Sequence, residues 1–542
     1  MENTLYYGDN LDILRRFIAD ESIDLIYLDP PFNSNRSYNV LFKDESGAGS
    51  DAQITAFDDA WHWGETAERT YQEIIQNAPL NVAKMMDAMR QFIGSNQMMA
   101  YLVMMAARLV ELHRVLKPTG SLYLHCDPTA SHYLKIILDV IFQPNNFRNE
   151  IIWKRSNPKS NTSANLPNST DIILRYSKTQ KCKYFPPYGD HDPEYIEKAY
   201  HYQDSDGRYR LLPLLNPNDD RPNLTYEFLG VKRVWRWTKD RMEKAYADGL
   251  VVQLHPGAVP QYKKYLSDSK GRTITNLWDD IPQAAGNEAL GYPTQKPLAL
   301  LERIIEISSE PSDIVLDPFS GCGTCISAAQ KLGRKWIGID ITHLAIAMHK
   351  NRLKGNFGLE PKRDYQVIGE PEDLGGAKHL AREDRYQFQW WALSLIKARP
   401  LGGSENSREG KKGSDRGIDG YISFLDDARG SLKQALIQVK SGHVNSSMIR
   451  DLKGTLEREQ AQIGIFITLE EPTREMVTEA ASAGFYHSEI WNRDYPRLQM
   501  LSVEELLNGA EPKLPPTPEN ATAFKKAEKV EKSGPKQGTL GL

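Results

Sequence analysis

The sequence predicts an α/β protein in two parts, a larger part built on a parallel sheet and a smaller α/β domain after it. Three apolar runs each end in an aspartate, which is typical of buried parallel strands that carry polar groups at their carboxyl ends. The runs are Ile23–Leu28 before Asp29, Ile314–Leu316 before Asp317, and Trp336–Ile339 before Asp340. After about residue 355 the chain becomes rich in charge, glycine and proline, which indicates a boundary between the two parts.

The first of these strands leads into the tetrapeptide Asp29-Pro30-Pro31-Phe32. An aspartate there can accept a hydrogen bond from an exocyclic amine, and the Pro30 carbonyl can accept another without a competing N–H. Pro31 stiffens the turn, and Phe32 offers a ring face to a flipped-out base. Asp-Pro-Pro is also ordinary turn chemistry, so the tetrapeptide alone leaves a simple strand exit open.

The second strand leads into a glycine turn and then a helical stretch. Glycines let the backbone pass close to a ligand, and a helix N-terminus favours a carboxylate. Asp340, about twenty residues after the glycines, is placed to hold ribose hydroxyls. A dinucleotide site is the competing interpretation, but the glycine spacing is not G-x-G-x-x-G. The turn reads Asp317-Pro318-Phe319-Ser320-Gly321-Cys322-Gly323-Thr324.

Together the two motifs resemble the beta class of DNA amino-methyltransferases, in which the catalytic motif precedes the cofactor motif. The resemblance covers roughly residues 1–375 and implies a Rossmann-like, seven-stranded methyltransferase sheet, with 1–355 as the methyltransferase domain. Leu116–Asp127 matches the helix-turn-strand that follows the catalytic site, and Cys322 stands where the family often has serine.

The resemblance also implies a cofactor, S-adenosylmethionine. Gly8-Asp9-Asn10 matches a position whose acid contacts the cofactor's adenine, and Pro293–Pro297 matches a segment that lies against its methionine end. The residues expected to bind the cofactor are Asp9, Gln295, Lys296, Pro297, Asp317, Pro318, Phe319, Gly321, Gly323, Thr324 and Asp340.

The chemistry that this resemblance implies is direct methyl transfer to an amine of a DNA base, with Asp29, Pro30, Pro31 and Phe32 as catalytic residues. Hydrogen bonds to Asp29 and the Pro30 carbonyl would make adenine N6 more tetrahedral and more nucleophilic. In this family an Asp or Asn in first position favours N6-adenine and a Ser favours N4-cytosine, so Asp29 favours adenine. Methylation at cytosine C5 would require a thiolate, typically from a Pro-Cys step, and none of the four cysteines follows a proline.

Composition agrees with this interpretation. A chain of 542 residues with 40% hydrophobic residues can build two or three packed domains. The formal net charge is only −4, so DNA affinity must come from local basic surface. Four cysteines favour a reducing compartment, and the acidic start of the chain, leading directly into a strand, predicts a cytoplasmic protein without a signal peptide. No apolar run is long enough to span a bilayer.

Cys322 and Cys325 have C-x-x-C spacing but lack a second pair, so we expect packing residues rather than zinc ligands.

Between the two motifs lies a candidate DNA-recognition region at 148–290. Basic residues surround Trp153 at its start and surround Trp235 and Trp237 later, a pattern that suits phosphate contacts and stacking. A charged face over an aromatic core explains the same residues. The basic residues are Arg148, Lys154, Arg155, Lys159, Lys232, Arg233, Arg236, Lys239 and Arg241.

The second part of the chain begins with a predicted linker at 356–380, followed by a domain at 381–510 and a disordered tail at 511–542. Asp419, Gln438 and Lys440 resemble the Asp…Gln-x-Lys core of the Mrr-like branch of the PD-(D/E)xK nucleases. The resemblance implies a Mg²⁺ ion held by Asp419 and Gln438, with Glu383 as a possible further ligand, and a water activated by Lys440. The alternative is the polar end of an ordinary hairpin.

Two functional hypotheses follow. In the first, one chain both methylates host sites in double-stranded DNA and cuts unmodified DNA, as a restriction-modification enzyme with or without further subunits. In the second, it is a solitary methyltransferase, specific for N6-adenine or N4-cytosine, whose C-terminal domain only binds DNA.

Overall fold

The computed structural model describes residues 2–31, 37–43, 49–58, 63–126, 128–156, 166–286, 288–289, 294–400, 418–426 and 432–516. The strands in chain order are β1 (Thr4–Tyr7), β2 (Ile23–Leu28), β3 (Ser37–Lys43), β4 (Gly49–Asp58), β5 (Leu116–Cys126), β6 (Phe147–Lys154), β7 (Thr170–Ser177), β8 (Tyr188–Gly189), β9 (Tyr202–Asp204), β10 (Gly207–Pro213), β11 (Thr225–Phe228), β12 (Val231–Val234), β13 (Val251–Val252), β14 (Gln261–Tyr265), β15 (Arg272–Thr273), β16 (Leu277–Trp278), β17 (Ile314–Asp317), β18 (Lys335–Asp340), β19 (Gln366–Ile368), β20 (Arg399–Pro400), β21 (Gly420–Leu425), β22 (Leu432–Lys440), β23 (Ile463–Thr468), β24 (Phe485–Ser488), β25 (Arg493–Pro496) and β26 (Leu498–Ser502).

The helices are α1 (Asn10–Phe17), α2 (Glu65–Asn77), α3 (Leu80–Ile93), α4 (Gln97–Val115), α5 (Ser131–Phe142), α6 (Pro193–Ala199), α7 (Lys239–Ala247), α8 (Leu298–Ser308), α9 (Thr324–Lys331), α10 (His343–Phe357), α11 (Leu374–Glu383), α12 (Arg385–Leu395), α13 (Ser446–Arg458), α14 (Arg474–Ser482) and α15 (Val503–Leu507).

The predicted α/β class is confirmed by a large mixed sheet with the order β16-β6-β7-β5-β2-β17-β18-β1-β19. Strands β5, β2, β17, β18, β1 and β19 run parallel, and β7 runs antiparallel to β5 and β6. The sheet has nine strands where seven were expected. The two outermost strands, β16 and β19, have only two and three residues, too few to give an apolar pattern.

The parallel register brings the carboxyl ends of the central strands to one edge of the sheet. Tyr7 of β1 pairs with Asp340 of β18, and Asp317 of β17 pairs with Gly338 of the same strand. Asp29 follows the last residue of β2 directly. Because parallel strands end on the same side, three aspartates that are far apart in sequence meet at that edge.

A methionine-rich helical pair supplies much of the core beside this sheet. Gly94, with a φ of +80°, ends α3, and Asn96 caps α4 by accepting from the Met99 N–H. Met99 and Met105 of α4 are fully buried within the main apolar cluster, which is what the apolar spacing of this segment indicates.

Residues Pro186–Thr275 form a separate compact unit. It contains a four-stranded sheet, β13-β14-β10-β9, and a core around Trp235, Phe228 and Met242. This unit is narrower than the region 148–290, because β6 and β7 belong to the nine-stranded sheet. Trp235 is fully buried and donates its indole N–H to the Tyr226 carbonyl, so it is a core residue and not a stacking surface.

The C-terminal part contains a five-stranded sheet with the order β20-β21-β22-β23-β26. Strand β22 is antiparallel to β21 and parallel to β23, and α13 connects β22 to β23, as the strand, strand, helix, strand order predicts. The segment 356–380, predicted as a linker, instead contains β19, which pairs with β1, and the start of α11. These elements are too short for composition to reveal. Most of the predicted tail, 517–542, lies outside the described residues.

Candidate active site

A cavity of about 290 Å³ opens at the carboxyl edge of the parallel strands. It brings together most of the residues that the two sequence motifs predicted. The predicted residues that line it are Asp9, Asp29, Pro30, Pro31, Gln295, Lys296, Asp317, Pro318, Phe319, Gly321, Thr324 and Asp340. Pro297 is buried at the N-cap of α8, next to this lining, and Phe32 lies outside the described residues.

Asp29 forms an ion pair with Lys296 inside this cavity. The two side chains are only 15% and 10% exposed, and the Lys296 ammonium also lies 3.3 Å from the Thr294 carbonyl oxygen. The sequence predicted that Lys296 would contact the cofactor. The structure places its ammonium group in the cavity lining, against the carboxylate that was predicted to hold the target amine.

Asp340 organises the glycine turn through both of its carboxylate oxygens. One accepts the Gly321 N–H at 2.8 Å, and the other accepts the Thr342 N–H and hydroxyl at 2.9 Å each. Burial raises the pKa of this carboxyl despite these bonds. A carboxylate oxygen has two lone-pair directions, so Asp340 retains acceptor capacity toward the cavity.

Asp317 lies deeper, with 3% of its surface exposed, and accepts the Phe319 N–H at 3.1 Å. Burial raises its pKa well above the usual range, and the nearby carboxylates of Asp29 and Asp340 add to that shift. Cys322 and Cys325 are buried thiols whose pKa values burial also raises. Both side chains are almost fully buried, with 4% and 2% of their surface exposed.

Arg108 is a cavity residue that the sequence analysis missed. It lies on α4, donates to the Asp9 carboxylate at 2.7 Å, and also bonds the Asn10 side chain. The Asn10 amide in turn donates to the Pro318 carbonyl at 2.7 Å. Burial lowers the pKa of this guanidinium, against the opposing effect of Asp9. Arg108 interrupts the otherwise apolar run 98–110, and this was the available signal, since such a charge needs a partner.

His349 and Arg352 of α10 support the glycine turn from below. Arg352 donates to the Cys322 carbonyl at 3.2 Å and to the Thr324 hydroxyl at 3.1 Å. A Cβ at Gly323, whose φ is +79°, would lie 2.9 Å from the His349 ring. The turn therefore requires glycine at this position for both conformation and space.

The residues predicted for a nuclease site lie on or next to elements of the C-terminal sheet and on α11. One Asp419 carboxylate oxygen accepts the Val439 N–H at 2.6 Å. This hydrogen bond connects the segment before β21 to β22. Gln438 is buried, Lys440 ends β22, and Glu383 is exposed and lies 3.3 Å from His379. Within the described residues, no group of three or more His, Cys, Asp or Glu side chains contains Asp419 or Glu383.

The fold and this cavity define an α/β protein with a ligand site where parallel strands end. A family model described as DNA methylase, of the N6/N4 type, matches residues 23–351, and the chain belongs to this family. It is thus a DNA methyltransferase related to restriction-modification enzymes.

Two curated relatives illustrate that relation. Type II methyltransferase M.EcaI from Enterobacter cloacae is 28% identical over 67% of this chain and 72% of its own length. The StyLTI Mod subunit, part of a type III restriction-modification enzyme of Salmonella typhimurium, is 29% identical over 61% of this chain and 50% of its own length.

Solved structures similar to the chain include a putative DNA modification methylase from Thermus thermophilus complexed with S-adenosyl-L-methionine, at 16% identity and a TM-score of 0.32. This match covers 68% of the present chain and 99% of the other. The cytosine-N4-specific PvuII DNA methyltransferase matches at 14% identity and a TM-score of 0.33, over 64% and 86% of the two chains.

A second family model, described as a NACHT-associated inactive restriction endonuclease, matches residues 404–508. This match supports the expected restriction-endonuclease-like fold, but it gives no support to the expectation of an Mrr-like active nuclease with bound Mg²⁺. Gln438 supplies no charge where an acid is usual, and one Asp419 carboxylate oxygen accepts a backbone N–H. No helix in the described part of the chain is long and apolar enough to cross a membrane.

Proposed function

We propose that the protein transfers a methyl group from S-adenosylmethionine to N6 of adenine in double-stranded DNA. The observation that carries this proposal is the meeting of Asp29-Pro30-Pro31 with the glycine turn in one cavity. The first group offers acceptors for an amine, and the second offers a backbone surface for a cofactor. An aspartate in the first position of the motif favours adenine over cytosine in this family.

The cavity suits S-adenosylmethionine in its donors and acceptors. Gly321 and Gly323, with positive φ angles, expose the backbone ahead of α9, whose N-terminus favours a carboxylate. Asp340, Gln295 and Thr324 supply polar atoms along the same wall. The bound cofactor would supply an electrophilic methyl group, while the chain's own residues would hold the amine in line with it.

Asp29 would orient the target amine and increase its nucleophilicity. Two acceptors, the Asp29 carboxylate and the Pro30 carbonyl, match the two N–H bonds of an exocyclic amine. Lys296 would fix the carboxylate in the cavity before DNA arrives. Because these groups act by position and charge, the transfer needs no covalent intermediate.

We predict that Asp29→Ala lowers the methylation rate by at least about 10²-fold, since a preorganised polar group at the reacting atom contributes on that scale. Incorporation of labelled methyl groups into DNA measures the rate, and calorimetry measures cofactor affinity, which should change little. Asp12→Ala removes another ion-paired acid, exposed on α1, and should retain full activity. Full activity of Asp29→Ala would reject the assignment. Modification-sensitive sequencing distinguishes adenine N6 from cytosine N4.

We further propose that the C-terminal domain binds DNA without cutting it, and that any cleavage in the system is done by a separate subunit. Its support is the Asp419 to Val439 bond and the match to an inactive endonuclease family. Incubation of unmethylated DNA with the protein and Mg²⁺ should leave it intact. Fragments that disappear in a Lys440→Ala variant would show instead that the domain is a nuclease.

A further inference from the structure

A buried chain of polar side chains leads from the cavity wall into the sheet. Tyr27 lines the cavity and lies on β2, two residues before Asp29, so the two side chains point to the same side of the chain. The Tyr27 hydroxyl oxygen is 3.2 Å from His125 Nδ1. Tyr27 is only 2% exposed, and burial raises the pKa of its hydroxyl well above the usual range, with Asp29 adding to the shift. It is therefore a neutral hydroxyl that can donate to the imidazole.

The other side of the His125 ring faces a carboxylate. His125 Nε2 lies 3.1 Å from Asp171 Oδ2, and Arg155 Nε lies 3.3 Å from Asp171 Oδ1. Burial acts to raise the pKa of Asp171, but its interaction with the His125 ring, above all their hydrogen bond, and the positive charges of Arg155 and Lys296 outweigh burial and lower that pKa.

Asp171 is therefore ionised and sets the tautomer of its neighbour. A carboxylate only accepts hydrogen bonds, so the proton of a neutral His125 must be on Nε2, and Nδ1 is left as the acceptor for Tyr27. Trp153, whose ring meets the imidazole edge-on at 5.8 Å, closes the site against solvent with 1% of its surface exposed. A fully buried imidazole held between a hydroxyl and a carboxylate has the arrangement of a proton acceptor.

Methylation of an amine creates a need for such an acceptor. The nitrogen lone pair forms the new N–C bond while the C–S electron pair stays on sulfur, and the nitrogen becomes positively charged until one of its protons leaves. We propose, on the basis of the proposed function, that Tyr27 and His125 remove this proton. The Tyr27 hydroxyl receives it and passes its own proton to His125 Nδ1, and Asp171 stabilises the resulting imidazolium.

The proposed contacts with the cofactor and the target base leave His125 and Asp171 without a function. The proton transfer assigns one to each of them. His125 belongs to the Leu116–Asp127 motif, which the sequence analysis placed after the catalytic site without a function. The charged and titratable groups that face Tyr27 and Asp171 come from several elements. They are Asp29 after β2, Asp317 on β17, Cys325 on α9, Arg155 after β6 and Lys296 before α8. In this proposal Asp29 orients the amine, and His125 receives the proton only through Tyr27.

The test is the single-turnover methylation rate of Tyr27→Phe, which keeps the ring and removes only the hydroxyl. We expect a loss of about 10²-fold, as for a general base, with cofactor affinity and DNA affinity unchanged. Because solvent must then take the proton, the rate of this variant should rise with pH between about 7 and 9 more steeply than that of the wild type. Asp171→Asn, which keeps the side-chain shape, should show the same change in pH profile.

Tyr123→Phe is the matched control. Tyr123 lies on β5 beside Tyr27, and the substitution also removes one buried hydroxyl, whose oxygen is 2.7 Å from the Ser308 hydroxyl of α8. It should lose stability to a similar extent and keep its rate and pH profile. Equal rates for wild type and Tyr27→Phe, or equal losses in the Tyr27 and Tyr123 variants, overturn the relay while leaving the proposed function intact. Absence of methylation by the wild-type protein overturns both.

Discussion

His349 is a buried side chain next to the glycine turn, and its titration makes the stability of the fold depend on pH. Its surface is 1% exposed, and burial, with the charge of Arg352, lowers its pKa from the usual 6.5 to about 3. The unfolded chain therefore binds a proton below pH 6.5 that the folded protein does not. The contribution of His349 to the free energy of unfolding is fully present above pH 6.5. It decreases as the pH falls toward 3, by up to about 1.4 kcal/mol per pH unit.

We predict that His349→Phe, which keeps a ring at this position, flattens the dependence of the unfolding free energy on pH. Denaturant unfolding at several values between pH 7 and 5 measures this slope in both proteins. Burial also lowers the pKa of His343, which contributes to the slope in the same way in wild type and variant. The difference between the two slopes therefore comes from His349. An identical slope in wild type and variant would show that His349 does not titrate as inferred.

Residues next to strand ends were predictable from sequence, whereas their partners were not. Asp29, Asp317 and Asp340 each follow or end an apolar run, so local pattern alone places them at one sheet edge. The partner of Asp29 is 267 residues away at Lys296, and the partner of Asp9 is 99 residues away at Arg108. Such pairs depend on how the chain folds back, which periodicity does not encode.

At the scale of elements, the glycine turn between β17 and α9 offers a test of steric fit. Gly323 and Gly333 have nearly the same left-handed conformation, with φ of +79° and +72°. An added Cβ would meet the His349 ring at 2.9 Å at the first position and nothing within 4 Å at the second. The two sites thus separate the cost of backbone strain from the cost of a clash.

We predict that Gly333→Ala costs about 1 kcal/mol of stability through strain alone, and that Gly323→Ala costs about 1–3 kcal/mol more through overpacking. Only Gly323→Ala should also weaken cofactor binding, because the turn that contains Gly323 forms the cavity wall. Denaturant unfolding and calorimetric titration measure the two effects. Equal costs for both variants would mean that His349 moves aside without penalty.

Elements of ordinary length were predictable, and the very short ones were not. Strands β2 and β23 are mostly apolar and buried along their whole length, so their pattern was sufficient. Strand β19 has three residues and none of them is fully buried, yet it pairs with β1 at the sheet edge. Its position depends on backbone hydrogen bonds, which leave little trace in residue type.

The endonuclease-like domain and the methyltransferase sheet are in contact through one helix. Helix α12 contributes Phe388 and Trp391 to the core of the C-terminal domain, where they lie in one apolar cluster with Phe424 of β21 and Ala435 of β22. The same helix contacts α10, and its Gln387 side chain accepts the His343 N–H at 3.1 Å. Asp340 and Thr342 line the cavity, and α10 begins directly after them. The C-terminal domain therefore contacts the helix that supports this wall of the cavity.

We predict that Gln387→Ala weakens cofactor binding about fivefold, because loss of one hydrogen bond at the start of α10 costs about 1 kcal/mol. Calorimetric titration with the cofactor measures the change. Gln389→Ala removes the same side chain from the same helix and is the matched control, expected to bind normally. If the Gln387 and Gln389 variants bind equally well, the two domains are connected without being coupled. A selective loss in the Gln387 variant would mean that the C-terminal domain and the cavity are coupled through α12, so that a ligand of either one would by reciprocity affect the other.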